Sequence, residues 1–213
     1  MAKAGAKAGT GAKGSTRERI VEAALDTLKA EGFAGASARA IARTGGFNQA
    51  LVFYYFGSVN ELLLAALDAT SEHRMARYQE AVDEVRTLPD LFRVASAIYK
   101  EDLAAGHMTV LAELIGGSAA HPELRREIAA RVTPWVAFTE AAIVRILGES
   151  PVAQVVPPAD MAYAIVALYL GIEMLTHLDG DDSRAGSLFD AGERVAGLLS
   201  ALLGVAPAGA GDR

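Results

Sequence analysis

The side chains best suited to contact a nucleic acid lie between Ser37 and Leu62, in the stretch SARAIARTGGFNQALVFYYFGSVNEL. Gln49 carries an amide that can pair with adenine through two hydrogen bonds. Arg39 can bridge to a backbone phosphate or to a guanine, and the hydroxyls of Tyr54 and Tyr55 can reach phosphates. This density of such side chains favours a DNA-contacting surface.

Two short helices joined by a glycine turn are predicted to present these side chains. Ser37 is expected to cap the first of them, and Gly45-Gly46 to form the turn. Asn48 is expected to cap the next helix, over residues 49–56. Two helices in this order predict a helix-turn-helix, whose second helix fits the major groove of B-DNA. In a simpler interpretation the aromatic run at 53–56 packs in a core, and the residues alone leave both interpretations open.

Capping signals also place the neighbouring helices. Ser15 and Glu18 have the spacing of a capping box, so a preceding helix is predicted from Ser15 to Gly32. Ser58 and Glu61 repeat that spacing at the start of a long fourth helix, predicted to reach residue 86. Five more helices are predicted at about 89–105, 108–118, 122–148, 159–178 and 185–203, with a loop at 148–158. The expected fold class is all-α, with about nine helices and no strand.

Composition divides the chain into four segments. Residues 1–14 are a low-complexity basic arm, expected to be disordered. Residues 15–60 are assigned to DNA binding, 61–204 to a helical effector-binding and dimerisation domain, and 205–213 to a disordered tail. The first 60 residues hold eight basic and four acidic side chains, a net of +4, although the whole chain carries −6. A basic head on an acidic body suits an approach to a polyanion.

Several classes of protein are excluded by what the sequence lacks. Without cysteine there is no disulfide scaffold and no thiolate metal site. No secretory signal opens the chain, and the longest uncharged apolar run, Met161 to Ile172, falls short of the roughly 20 residues that span a bilayer. With no glycine-rich phosphate loop and no nucleophile motif, we expect a cytoplasmic protein that is not an enzyme and needs no cofactor or metal.

The stretch at 37–62 resembles the N-terminal domain of the TetR/AcrR family of bacterial transcriptional regulators. The matching positions are Ser37, Arg39, Ile41, Ala42, Gly46, Val52, Tyr54, Phe56, Ser58, Glu61 and Leu62. The upstream helix, with Ile20, Ala23, Ala24 and Leu28 before Gly32-Phe33, also matches, so the resemblance covers about residues 15–65. The sequence departs from the family pattern at Phe53, at Tyr55, and at Val59, where the family usually has a phosphate-contacting lysine.

The resemblance implies binding to double-stranded DNA, at a pseudo-palindromic operator read by a homodimer. The expected contact residues are Arg39, Thr44, Asn48, Gln49, Ala50, Leu51, Phe53, Tyr54, Tyr55 and Ser58, with Lys13 and Arg17 of the arm in reserve.

The resemblance also implies a ligand pocket among the later helices. Large apolar side chains there favour a hydrophobic small-molecule effector. The candidates are Phe92, Tyr99, Met108, Leu111, Trp135, Phe138 and Met174. Each of these side chains is also suited to an ordinary core. Glu173 and His177, four residues apart, are expected to be polar anchors for the ligand in preference to metal ligands.

The last two helices are apolar on more than one face, and a single core can bury only part of that apolar surface. A second copy related by a two-fold axis would cover the rest. The expected interface residues are Ile165, Tyr169, Ile172, Leu188, Val195, Leu198, Leu199 and Leu202. The sequence therefore predicts a repressor released from its operator by a small hydrophobic ligand. The alternative is a helical small-molecule-binding or interaction module with weak or lost DNA binding.

Overall fold

The computed structural model describes residues 9–148 and 150–203, and all regular structure within that part is helical, as the sequence predicts. A single turn of 3-10 helix follows α6, at Ser118–Ala120. The ten α-helices of the described part are α1 (Gly9–Gly35), α2 (Ala38–Gly45), α3 (Ala50–Phe56), α4 (Val59–Asp83), α5 (Leu88–Ala105), α6 (His107–Gly117), α7 (Pro122–Leu147), α8 (Pro151–Val155), α9 (Pro158–Asp179) and α10 (Ser183–Leu203).

Two of the four predicted caps, at Ser37 and Ser58, form as predicted, whereas the N-cap position of α3 is occupied by Gln49 and not by Asn48. Helical geometry in α1 breaks at Gly32, where φ is +69°. The hydroxyls of Ser37 and Ser58 each accept a hydrogen bond from the backbone N–H three residues later, at 3.2 Å and 3.1 Å. Gly46 adopts the left-handed conformation at the end of α2, with φ at +66°. These contacts fix the lengths and entry points of the helices that make the helix-turn-helix.

Three predicted boundaries were wrong. The first helix begins at Gly9, so Ser15 lies inside it and does not cap it. Residues 9–14 belong to α1, since adding residues to an existing helix costs far less than nucleating one; residues 1–8 lie outside the described part. The predicted loop at 148–158 contains α8, which Pro151 opens at a position that suits proline. The fourth helix ends at Asp83, three residues before the predicted end.

Two compact units make up the chain. The first holds residues up to Ser71 together with 109–128, and the second holds 72–108 and the chain from 129 onward. The N-terminal helices therefore share their unit with most of α6 and the start of α7. α4 and α7 each contribute residues to both units.

The first unit is built on one apolar core. Its members come from α1 to α4, α6 and α7, and the fully buried large apolar side chains are Ile20, Leu28, Ile41, Val52, Leu62, Leu63, Val110 and Leu114. These positions recur at helical spacing, so each short helix is held by burial on one face. That burial leaves the opposite faces of α2 and α3 in solvent.

In the second unit α10 packs along α5. The ring of Phe92 lies so close to Gly192 that a Cβ there would come within 2.3 Å of it. The next residues on the two helices, Arg93 and Glu193, form an ion pair at 3.0 Å. A smaller apolar cluster joins α7 to α9 through Ile143, Leu147 and Ala162.

α9 corrects the sequence-based expectation that the longest apolar run is too short for a membrane span. Within the described part of the chain, α9 is one helix long and apolar enough to cross a membrane, and the number rises to three if each of two bent helix pairs is counted as one span. Only 17% of its most apolar window is buried within the chain. A large apolar surface on α9 therefore remains uncovered in the single chain.

We expect Gly46→Ala to destabilise the first unit by about 1–2 kcal/mol, because an L side chain at positive φ is strained even though the space beyond it is open. Gly116→Ala is the matched control, since Gly116 lies inside α6 and an added methyl group would meet nothing within 4 Å. It should stabilise by up to about 1 kcal/mol, because alanine is the better helix former. Thermal unfolding followed by circular dichroism measures both. Equal effects of the two substitutions would contradict the assigned backbone geometry.

Candidate functional site

The exposed face of the helix-turn-helix carries the side chains suited to DNA. Phe53 and Tyr54 on α3 are 52% and 68% exposed. Gln49 and Ala50 at the start of the helix and Arg39 on α2 are also exposed. Five of the predicted contact residues therefore share the solvent-facing side of α2 and α3.

Other predicted contact residues support the scaffold. Leu51 and Tyr55 are partly buried against the core of the first unit. The side-chain oxygen of Asn48 accepts a hydrogen bond from the N–H of Ala50 at 2.9 Å, at the start of α3. Ser58 caps the next helix, α4, by accepting from the N–H of Glu61. The hydroxyl of Thr44 accepts from that of Thr27 at 2.9 Å. These residues orient the exposed face, and any contact they make with DNA would be additional.

Arg17 and Lys13, near the start of α1, are the two basic residues of the arm that were predicted to contact DNA. Arg17 is exposed and lies over the ring of Phe56, 4.9 Å from its centre. The Lys13 side chain lies outside the described residues. Val59 stands where the family pattern usually has a lysine. Its side chain is half-buried and packs against the core of the first unit.

α6 is bound to the end of α1 by contacts that the sequence did not reveal. The Glu113 carboxylate accepts from the backbone N–H of Phe33 at 2.7 Å, and the Phe33 ring lies against Gly117. The positive φ of Gly32 turns that N–H away from the helix ladder. Glu113 therefore satisfies a donor that the break at Gly32 exposes.

The second unit contains a buried polar cluster centred on Asp102, a residue of α5 with no exposed surface. One carboxylate oxygen accepts from Arg74 and from the hydroxyl of Tyr169, the latter at 2.7 Å. The other accepts from the hydroxyl of Tyr78 at 2.5 Å. Donors from α4 and α9 thus meet on one carboxylate of α5, and sequence reasoning assigned none of the three polar residues Arg74, Tyr78 and Asp102.

Aromatic rings surround this cluster. The Arg74 guanidinium lies over Trp135, 4.9 Å from the ring centre, and Trp135 also contacts Phe138. Tyr99 packs edge-on against Tyr169, with 6.1 Å between ring centres, and its hydroxyl shares a hydrogen bond of 2.7 Å with Thr176. The structure therefore brings the predicted ligand residues Tyr99, Trp135 and Phe138 to one polar cluster.

Glu173 also belongs to the cluster and is only 3% exposed. Its Oε1 atom is buried and has no hydrogen-bond partner. Burial, with the Asp102 carboxylate as the second cause, raises the pKa of Glu173 to about 7, against opposing effects of Arg74 and Tyr169. Burial and hydrogen bonding to Asp102 likewise raise the pKa of Tyr78, so this phenol keeps its proton and remains a donor.

The remaining predicted ligand residues do not join this cluster. Leu111 packs against the core of the first unit. Met174 is 46% exposed and His177 is exposed, so His177 does not share the buried site of Glu173. Phe92 lies between α5 and α10, and Met108 is buried at the start of α6. Among the described residues no group of three or more His, Asp or Glu side chains is placed to hold a metal ion.

The predicted interface residues on α9 and α10 are mostly exposed. Leu198 and Leu202 are 66% and 82% exposed, and the sequence analysis missed Leu175 and Leu178 on α9, both more than half exposed. Tyr169 instead turns its hydroxyl to Asp102, and Ile172 is only partly exposed. We call the exposed apolar side chains of α9 and α10 the apolar face.

Residues 20–66 match the family model of bacterial regulatory proteins of the tetR family. Over 71 residues the chain is 32% identical to the transcriptional repressor NicS of Pseudomonas putida, a match that spans 33% of this chain and 32% of that protein. The N-terminal helices of this chain are therefore similar to the DNA-binding domain of the tetR family over residues 20–66. The matched region is about a third of the length of the curated relative, so the comparison with NicS concerns the DNA-binding head.

Solved structures extend the likeness beyond the N-terminal helices, to more than four fifths of the chain. A family member from Streptomyces coelicolor A3 is 25% identical, with a TM-score of 0.60 over 83% of this chain and 96% of that one. The regulator FadR of Bacillus subtilis, in complex with stearoyl-CoA, is 14% identical, with a TM-score of 0.66 over 84% of this chain and 96% of that one. The second likeness concerns the fold alone.

We expect Glu173 to make stability depend on pH. Because its pKa is raised in the folded state, the folded chain holds the proton more tightly, and stability falls as pH rises from about 4.5 to 7. Glu173→Gln mimics the protonated form, so it should be more stable than wild type at pH 8 by about 2–3 kcal/mol and nearly equal at pH 5.

Urea unfolding at the two pH values measures this difference. Glu80→Gln makes the same change at an exposed position of α4 and should show no difference at either pH. A Glu173→Gln variant less stable than wild type at pH 8 would contradict the assignment of an unrelieved buried charge.

Proposed function

We propose that this protein is a transcriptional repressor that binds operator DNA through α3 and leaves it when a small hydrophobic molecule enters the second unit. The observation that carries the proposal is the exposed face of α2 and α3, with Arg39, Gln49 and Tyr54 held on a scaffold that has one apolar core and a capped α2. The second helix of a helix-turn-helix presents its first residues to base edges, and Gln49 and Ala50 occupy that place.

Release would act through α4, which is one continuous helix from Val59 to Asp83. Its beginning belongs to the first unit, and its later residues Arg74 and Tyr78 are fixed to Asp102 in the second. A ligand that rearranges the polar cluster would displace this helix. The ligand must bind more tightly to the DNA-free form, because otherwise the equilibrium would not shift.

We propose that a second copy of the chain covers the apolar face. Two copies related by a two-fold axis would bring α9 and α10 of each together as four helices. This assignment also places α9 in a protein interface, not in a membrane. The helix carries Asp160, Glu173 and Asp179, and lipid has no partner to offer those groups. The protein would act in the cytoplasm, where its operator lies.

Arg39→Ala and Gln49→Ala should weaken DNA binding in different ways. Loss of a phosphate contact at Arg39 should reduce the slope of log affinity against log salt by about one, with little change in sequence preference. Loss of a base contact at Gln49 should leave the slope unchanged and reduce the preference for operator over scrambled DNA by about 1–3 kcal/mol.

Fluorescence anisotropy with the DNA upstream of the chain's own gene, over a range of KCl concentrations, measures both effects. Lys100→Ala removes an exposed charge from α5 and is the matched control for Arg39→Ala. If the wild type shows no salt-sensitive binding to any such fragment, the repressor proposal fails and the alternative of a ligand-binding module without DNA binding is preferred.

Leu198→Glu should dissociate the dimer. A carboxylate in an apolar interface loses its hydration without gaining a partner, so we expect the dimer dissociation constant to rise by at least about a hundredfold. Val155→Glu introduces the same charge at an exposed apolar residue of α8 and should leave the dimer intact. Sedimentation velocity over a range of concentrations compares the two variants. A dimer that tolerates Leu198→Glu would place the interface elsewhere.

A further inference from the structure

The unpartnered oxygen of Glu173 requires an explanation. A buried carboxylate oxygen normally accepts a hydrogen bond, and leaving it without one costs free energy. The hydroxyl of Tyr169 has a single proton, which it donates to Asp102. Tyr169 also lowers the pKa of the Glu173 carboxyl by hydrogen bonding, but a proton given to Asp102 cannot satisfy Glu173 as well, and the Oε1 atom of Glu173 has no partner.

The formal charge of the cluster indicates what is missing. Arg74 and Asp102 compensate each other as a buried ion pair. Glu173, on the next helix turn from Tyr169, therefore adds one uncompensated negative charge when ionised. The charged and titratable groups that act on it are Asp102 of α5, Arg74 of α4 and Tyr169 of its own helix. Arg74 donates to Asp102 through Nη2, and its buried Nε–H has no hydrogen-bond partner.

The surroundings of Glu173 suit an organic cation. Tyr99 and Tyr169 pack edge to face beside it, and the ring of Phe189 lies 5.3 Å from that of Tyr99. Aromatic faces attract cations, and the other aromatic pair of the cluster, Tyr78 and Trp135, already carries the Arg74 guanidinium. The rings near Glu173 carry no such cation from the chain in the contacts assigned to them.

We propose that the effector is a hydrophobic amine, whose ammonium group pairs with the Glu173 carboxylate beside Tyr99 and Tyr169. The inference rests on the proposed function, since it names the chemical class of the molecule that would release the operator. It goes beyond a hydrophobic ligand because it assigns a charge to that ligand. An amine would supply both the donor for Oε1 and the missing positive charge.

Three probes that share one apolar skeleton test this assignment: 4-phenylbutylamine, 4-phenylbutan-1-ol and 4-phenylbutyrate. Isothermal titration of the full chain at pH 8 should give a dissociation constant for the amine at least about tenfold lower than those of the alcohol and the acid. Affinity for the amine should fall by up to about tenfold between pH 7 and pH 6, because Glu173 is then increasingly protonated.

A second readout is the proton that Glu173 gives up when the ammonium binds. Near pH 7 the measured binding enthalpy should vary with the ionisation enthalpy of the buffer. Glu173→Gln should abolish the amine preference, the pH dependence and the proton release together, whereas the control Glu80→Gln should retain all three. Because Glu173→Gln removes a destabilising charge, this variant is expected to fold.

The assignment is overturned if the alcohol or the acid binds as tightly as the amine, or if the amine preference survives in Glu173→Gln. It is also overturned if the amine shows no binding at millimolar concentration. The same titrations in the presence of operator DNA separate this inference from the proposed function. An amine that binds through Glu173 without releasing DNA would refute only the release mechanism, and release by the alcohol or the acid would refute only the amine assignment.

Discussion

The second unit depends on how the carboxylate of Asp102 is satisfied. A charge with no exposed surface persists only when donors surround it, and here Arg74 and Tyr78 of α4 and Tyr169 of α9 supply them. Such a cluster contributes little net stability, because desolvation offsets most of the attraction, but losing one partner costs about 3–5 kcal/mol. Its effect is to fix three helices in one arrangement. The same arrangement commits the Tyr169 proton to Asp102, and the Oε1 atom of Glu173 has no hydrogen-bond partner.

The first unit could largely be predicted from the sequence because its signals are local. Ser37, Gly46 and Ser58 act within a few residues of themselves, so the caps and the turn of the helix-turn-helix follow from spacing alone. The start of α1 could not be predicted in this way. Ser15 has the spacing of a cap, yet the helix continues through it to Gly9, since nothing in the sequence forbids extension of a helix already formed.

The polar cluster could not be predicted, because its members lie far apart in sequence. Arg74 and Asp102 are separated by 28 positions and Tyr169 and Asp102 by 67, and no spacing rule connects residues on three helices. The sequence instead paired Glu173 with His177, four residues apart on α9. Burial separates them, because Glu173 is inside and His177 is exposed. Leu111 illustrates the same limit, since only the contacts of α6 place it in the first unit.

α4 and α5, which are joined through Asp102, are both connected along the chain to helices of the first unit. α4 begins at Val59, next to α3, and α5 ends at Gly106, whose φ of +66° turns the chain directly into α6. α6 in turn holds the end of α1 through Glu113 and the Phe33 N–H. A rearrangement around Asp102 therefore has two covalent routes to the helices that carry the exposed face of the helix-turn-helix. Since α4 and α6 both contribute to the core of the first unit, a shift of one helix without the other would open that core, which favours two discrete states over gradual adjustment.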